Sequence, residues 1–516
     1  MKHSGECRIM TTWNPILTGR IGQRCGCRIR VVLVGLLGVA MGVLAEPVSA
    51  GTTRVPAGGE ALQAALDAAA DGDVLVLEPG VHHGPVTVMR PLTLQGEAGA
   101  VLDGREQGRV ITVKAPDVAV RNLVVRGSGT DRERIASGIY LDRAADRAVI
   151  EGNHLEGNLF GVYVWGPTDV LVRGNTIIGR DDLRMSDRGN GVSVWNSPGT
   201  RIVGNRIVKG RDGIFVSKTQ RNRFNGNRLE GVRFGIHYMD TNDSEVSGNI
   251  SVGNQVGYAI MMSNRIVVRG NLSQGDHDHA FLLHSVNGSR IAGNAVKGRF
   301  EIATAVRGDQ GDQDPDVPQE AEPSDGPRIG TGKCVFVLGS VRNEFRDNWF
   351  EGCEIGAHVT GGSERNTIVG NAFVGNHTQV KYVGARVVEW SENGRGNYWS
   401  DNAAFDLNGD GIADEAYRPN DLVDRVMWAY PSAKLLLNSP GIQVIRWAQR
   451  QLPQLQKGGI VDTSPLMTPP APAPSSRKQP GVHADAPASG SIHGSGLGRV
   501  RGGAEGRGAT SGGVDP

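Results

Sequence analysis

From Gly204 to His284, polar and apolar positions recur along the chain with a fixed step. A Gly-Asn pair stands at Asn205, Asn227, Asn249 and Asn271, each 22 residues after the last, and a repeat that short predicts a solenoid of stacked coils. Eight residues beyond each Asn comes a small residue, Gly213, Gly235 and Gly257, with Ala280 one place later. Each opens an apolar run: IFVS, IHYM, YAIM and FLLH. Side chains alternate across a strand, so Ile214, Val216, Ile236, Tyr238, Tyr258, Ile260, Phe281 and Leu283 are predicted to point inward as stacked rows. The positions between them then face outward. Phe215, His237, Ala259 and Leu282 form one outward row, and Ser217, Met239, Met261 and His284 form a second.

The same pattern extends in both directions. GIYLD at 138, GVYVW at 161 and GVSVW at 191 are earlier strands, with Asn153 and Asn175 as their markers. The step from Asn175 to Asn205 is 30, which places an eight-residue insertion at Arg180 to Arg188. The step from Asn294 to Asn348 is 54, one coil of 23 plus 31 further residues. That excess contains 308–327, acidic and rich in Pro and Gly, which reads as a solvated loop, either a tolerated insertion or a lid or docking element. Upstream, Glu60 to Ala70 is predicted to be a helix with Leu62, Leu66 and Ala69 on one stripe, suited to cover the first coil. The expectation is an all-β parallel solenoid of about a dozen coils over 51–400. Gly-Asn suits its corners, because both residues tolerate positive φ and stacked amides can form ladders. A C-terminal extension follows over 401–467. Within it, Ser439 and Pro440 start an amphipathic helix, 440–452, with Ile442, Ile445, Ala448 and Leu452 on one stripe and Val444 and Trp447 beside them. That helix either caps the solenoid or docks on a partner or a membrane surface. Residues 468–516, mostly Pro, Ala, Gly and Ser, are expected to be disordered.

Charge narrows the picture little further. With 55 Lys and Arg against 54 Asp and Glu the 516-residue chain carries a formal charge of +1, and no basic stripe interleaved with aromatics marks a nucleic-acid surface. Arg20, Arg24, Arg28 and Arg30 precede the apolar run Val31 to Ala45, followed by small residues ending at Ala45 or Ala50. This reads as an export signal over 1–50, since the run is shorter than the ~20 residues of a membrane-crossing helix; an uncleaved anchor is the other reading. Export removes Cys7, Cys25 and Cys27. Cys334 and Cys353 remain, in a compartment that permits disulfides. Repeat alignment places Cys334 just after a strand-opening position and Cys353 three residues before the next one. That offset is expected to keep them apart as two free, partly buried thiols.

Three constellations bear on chemistry. Met239, Met261 and His284 hold equivalent positions on successive coils about 5 Å apart. His237 shares Met239's face, and His279 in GDHDH stands just ahead of His284. Thioether and imidazole donors suit copper, Cu(I) above all; the other reading is that they merely cover the outside of a sheet. Tyr140, Tyr163, Trp165, Trp195 and Phe215 continue the same surface toward the N-terminus, as a long apolar interface would. Second, Asp406, Asn408, Asp410 and Asp414 have calcium-loop spacing with Gly411 at the sharp turn, but Tyr417 stands where an EF-hand has its bidentate Glu. Structural calcium and a plain Asx-rich turn both fit. Third, Asp276 to His279 superficially resembles the Asp-Pro-His-Asp of alginate epimerases, without the Pro, which would make the chain a secreted carbohydrate-active enzyme, a polyuronate lyase or epimerase.

Longer strings carry more specific information. GNYWSDNAAFDLNGDGIADEAYRPNDLVDRVMWAYPSAKLLLNSPGIQVIRWAQRQLP and GGIVDTSPLM, with KCVFVLGS, NWFEGC, GNAFVGNHTQVKYVG, GYAIMMSN and FGIHYMDTND behind them, resemble the NosD family of nitrous oxide reductase maturation over roughly Gly58 to Pro469. The resemblance implies a right-handed parallel β-helix of the pectin-lyase-like class and a periplasmic, non-catalytic, copper-binding accessory protein. It also implies partners: the ATPase and membrane subunits of an ABC transporter, a copper chaperone lipoprotein, and nitrous oxide reductase, whose tetranuclear centre needs copper and sulfur. The terminal helix becomes a dock for the membrane subunit. No short ligand motif comes with the family, so the copper set of His237, Met239, Met261 and His279, with His284 in reserve, rests on coil register alone. The insertion 308–327 matches none of the family strings.

Overall fold

Each coil contributes three short strands, and the strands of successive coils pair in parallel, so that equivalent residues lie on top of one another. The computed structural model describes residues 50–302, 328–384, 386–419, 423, 439–451 and 459–471, and within them the coils build three parallel sheets of 13, 12 and 13 strands. Parallel strands buried on one side by their own coil read as apolar inward rows. Ile214 stands beside Ile236, which stands beside Tyr258, which stands beside Phe281, and all four are essentially inaccessible. The first coil is covered as expected: Leu62 and Leu66 of the Ala61–Ala68 helix are buried. The eight-residue insertion is also where the spacing puts it, between the strands Thr176–Gly179 and Val192–Trp195. The long insertion leaves and re-enters through a small antiparallel pair, Glu301–Ile302 against Arg328–Ile329. Its acidic part, 308–327, lies outside the described residues, as do the export signal up to residue 49, Leu452, and the tail from 472.

A column of buried asparagines runs through one corner of every coil from Asn153 to Asn397. In each, the backbone N and the side-chain Nδ2 both donate to Oδ1 of the Asn one coil further on, as in Asn227 to Asn249 at 2.9 Å for both and Asn249 to Asn271 at 3.0 Å for both. The second Nδ2 hydrogen goes to a backbone carbonyl of the preceding coil, Ile202 for Asn227 and Phe224 for Asn249. Every polar atom of these side chains is thereby satisfied inside the core, as burial demands. The two residues of the pair divide the corner between them. Gly204, Gly226, Gly248 and Gly270 take the positive φ, from 62° to 67°, whereas the ladder asparagines do not. The last Asn presents donors with no further coil to meet, and Asp462 meets them: its Oδ2 accepts from Asn397 N at 2.7 Å and from Trp399 Nε1 at 2.9 Å. Asp462 arrives there on the strand Gly459–Val461, which pairs in parallel with Val387–Glu389. Stacked rings of Phe373, Trp399 and Tyr417 close the end of the core beside it.

The cysteines correct the sequence reading. Cys334 and Cys353 form a disulfide with Cα atoms 5.6 Å apart, and both are fully buried. Their separation of 19 residues takes the chain almost once around a coil, so the two sites lie about one coil rise (~4.8 Å) apart. The corner before the Ile355–Val359 strand then turns Cys353 inward. The offset along the sequence does not measure that distance.

The helix Pro440–Gln451 forms with Ser439 as its cap, Oγ accepting from Ile442 N at 3.4 Å. It leaves Val444 and Trp447 exposed.

Two stability measurements check this account. Asn249→Ala strips Asn227 N and Nδ2 of their acceptor and is expected to lower the unfolding free energy by on the order of 3 kcal/mol in denaturant titration. Replacing both Cys334 and Cys353 by Ala is expected to cost at least about 3 kcal/mol through the lost loop constraint, and reducing the wild type is expected to remove that part of the difference, leaving the cost of the two truncated, buried side chains.

Candidate functional site

The outward face of the 12-stranded sheet carries the predicted rows in the predicted register. One runs Trp165, Trp195, Ser217, Met239, Met261, His284 and Leu338. Beside it run Tyr140, Tyr163, Ser193, Phe215, His237, Ala259, Leu282, Phe336 and His358. His279 belongs to neither; it sits in a third row, with Phe234 and Val256 before it and Lys333 after it. At the N-terminal end the face is an aromatic platform, half-buried at Trp165 and Trp195, whose rings stack nearly parallel at 5.8 Å. Cations lie over it, Arg109 at 3.5 Å from the Tyr140 ring centre and Lys218 at 5.2 Å from that of Trp195.

From His237 onward the face is no longer open. His237, Ala259, Met261, His279, Leu282, Phe336 and His358 are all buried, while Met239 and His284 are half-buried. Facing outward from the sheet is therefore not the same as facing water.

Burial decides the electrostatics here. It pushes the His279 imidazole down to about 3, helped by the positive charge of Lys333, and Nδ1 of His279 has no hydrogen-bond partner. His358 is pushed down to about 2 by burial and by Lys333 and Lys381; its ring stacks on Phe336 at 4.8 Å, and Phe336 packs against His279 at 5.3 Å. Both rings are neutral at physiological pH, the form in which imidazole ligates a metal. His237 differs in being tied to an acid. Its Nδ1 lies 3.1 Å from Oδ2 of Asp212, and Arg233 grips the same carboxylate with Nε at 2.8 Å and Nη2 at 2.9 Å. Burial alone would raise the Asp212 carboxyl; the His237 and Arg233 hydrogen bonds outweigh it and hold it well below the usual carboxylate range.

The structure gathers Met239, Met261 and His284 along one row with His237 alongside, and holds His279 apart. Among the described residues no three His, Cys, Asp or Glu side chains stand together as a metal-holding group. The second candidate folds as an Asx turn: Asp406 accepts from Gly409 N and Gly411 N, Asp410 from Ile412 N, and Asp414 from Leu407 N.

Residues 173–404 match the family described as NosD, periplasmic copper-binding protein. A relative from Stutzerimonas stutzeri, named a probable ABC transporter binding protein NosD, is 44% identical over 394 residues, which cover 76% of this chain and 86% of that protein. A Pseudomonas aeruginosa relative of the same name is 42% identical over 454 residues, 88% of this chain and 97% of that one. The chain belongs to the NosD family. Among solved structures, the A-module of the Azotobacter vinelandii mannuronan C-5 epimerase AlgE6 is similar at a TM-score of 0.48 and 15% identity, with 63% of this chain and 91% of that one covered. At that distance the likeness bears on neither substrate nor activity.

In this NosD chain the GDHDH string divides between core and surface. His277 and Asp278 are exposed, whereas Asp276 is buried in a second corner ladder, accepting from Asn254 N at 2.9 Å and from Ser273 Oγ at 2.5 Å. Two residues escaped the reading of the sequence. Asp212 occupies the place one coil before Phe234, as the bond from Gly213 N to Phe234 O shows. An acid in a row otherwise filled by Phe234, Val256, His279 and Lys333 was the available signal. His358 continues the His237 row and was legible by the same counting.

Burial pushes the Asp276 carboxyl up to about 6. The folded protein thus holds this proton to higher pH than the unfolded chain does. Its burial costs nothing below about pH 4, and the penalty grows until it is complete above about pH 6. Asp276→Asn, which places an amide where the preceding coil already carries Asn254, is expected to match wild type in acid and to exceed it by about 3 kcal/mol at pH 7.5 in denaturant titrations.

Proposed function

We propose that this chain is a periplasmic, non-catalytic scaffold that handles copper as cargo during maturation of the copper and sulfur centre of nitrous oxide reductase. It works with the membrane and ATPase subunits of an ABC transporter and receives metal from a copper chaperone lipoprotein. The observation that carries this reading is the register that sets Met239, Met261 and His284 on consecutive coils beside His237, in a chain whose family is described as copper-binding. Two thioethers and two imidazoles, half-buried or buried, are soft donors in a largely dry setting and favour Cu(I) over hard divalent ions. His279, one row over, serves as the next station along the same face. The aromatic platform of Tyr163, Trp165, Trp195 and Phe215 is where a metal-loaded partner lands, since it is apolar, partly open and continuous with the Met row. Names of relatives that refer to an ABC transporter support the transporter partnership, and the exposed edge of the Pro440–Gln451 helix is its candidate dock.

The enzymatic alternative has less support, because the string that suggested it is split: Asp276 is bonded within the core and only His277 and Asp278 reach the surface. A structural calcium ion at Asp406, Asn408, Asp410 and Asp414 is a separate proposal from the copper face: the backbone N–H bonds that shape the loop leave each carboxylate further lone pairs for an ion.

Titration of the exported form with Cu(I) against a competing chelator is expected to show binding in wild type and at least roughly tenfold weaker binding in a Met239→Ala, Met261→Ala double variant. Equal affinity in the two proteins would overturn the assignment of the Met row.

A further inference from the structure

Asp212, His237 and Arg233 form a buried unit whose members have side-chain exposures of 1%, 4% and 3%. Burying a carboxylate and a guanidinium is costly even when they pair. Replacing such a pair by apolar residues often leaves stability unchanged or improves it, so stability is a weak reason for its presence. Its geometry has a more specific consequence. The ionised carboxylate accepts from Nδ1–H of His237, which fixes the tautomer with the lone pair on Nε2. That Nε2 is buried and has no hydrogen-bond partner. The ring cannot swing to find one: Phe234 stands edge-to-face against it at 4.7 Å and Phe215 at 5.1 Å. An imidazole oriented by a carboxylate, with its other nitrogen left bare, is the arrangement in which proteins present histidine to a metal. Here the carboxylate is in turn clamped by Arg233, so the unit adds no net negative charge that would draw hard cations.

The surroundings select the ion. Met239 is two residues along the same strand on the same face, and Met261 is the coil neighbour of Met239. Ala259, next to His237 in its row, is the smallest outward side chain there.

We infer that Asp212 is the positioning residue of a buried Cu(I) site in which His237 Nε2 and the thioethers of Met239 and Met261 are the donors. This rests on the copper-handling reading above and makes it specific: of the five side chains proposed to handle copper, these three form the retaining site, while His284 and His279 lie on the path to and from it. Arg233 contributes by locking Asp212. No redox step is involved; the ion enters and leaves as Cu(I).

The test uses the full exported chain loaded with Cu(I), with affinity from chelator competition and ligand identity from X-ray absorption. Wild type is expected to show sulfur and imidazole scattering together. His237→Gln is expected to lose the imidazole contribution, and Asp212→Asn to weaken binding by roughly 10- to 100-fold while the thermal melt stays cooperative. Should Asp212→Asn fail to fold, the charge-balanced pair Asp212→Asn with Arg233→Gln takes its place. If the methionine double variant loses copper while His237→Gln and the folded Asp212 variants bind and scatter as wild type does, the positioning role is wrong and the copper-handling face survives. If the methionine variant also binds as wild type does, both readings fail.

Discussion

One interaction sets the terms for everything else in this protein, the column of asparagine amides running up a corner of the solenoid. A primary amide in an apolar core is destabilising unless each donor and acceptor is met. Here each is met only if the next coil brings an Asn to the same height and the same azimuth. The ladder thus ties coil to coil at one point, from Asn153 to Asn397, and permits no slippage there. Register matters because a strand displaced by a single residue turns its inward side chains out and its outward ones in. Fixing one corner therefore fixes both faces. The rows of Met, His and aromatic residues on the 12-stranded sheet exist as rows because the amides at the corner between the two 13-stranded sheets hold the coils in step.

The far end of that column explains why the chain doubles back. All the ladder amides donate in one direction, so the N–H groups of Asn397 have no further Asn to meet. Asp462 supplies the acceptor, brought there by a strand distant in sequence. The GGIVDTSPLM string, which carries part of the family resemblance, is on this evidence architectural: its acid closes the ladder, and its strand and the rings of Trp399 and Tyr417 close the core. The Asp-rich loop before it is likewise held by its own backbone bonds.

The outward face draws its chemistry from an unusual degree of burial. On an open sheet surface, histidines would titrate near neutrality and methionines would be incidental. Here His279 and His358 are neutral because charge is costly where they sit, and Nδ1 of His237 meets an acid that is itself paired with Arg233. A soft cation gains from such a setting, since it meets polarizable donors without competing water. The aromatic platform upstream is the more open part of the same lane, so one continuous surface passes from a docking-like region to a donor-rich, dry one.

The sequence by itself determined the solenoid, its step, the position of both insertions, the capping helix and the membership of the two outward rows. All of these follow from a period written into the chain and from strand alternation, which need no knowledge of distant contacts. Tertiary structure decided the rest. That Cys334 and Cys353 bond, that Asp212 reaches His237 across a coil boundary, that Asp462 ends the ladder, and that the face beyond His237 is shielded from water are all relations between residues on different coils or different segments. Periodicity shows which residues share a row. It does not give the rotation of a corner, the depth of burial or the diagonal contact between rows, because those depend on how whole coils pack rather than on the order of residues within one.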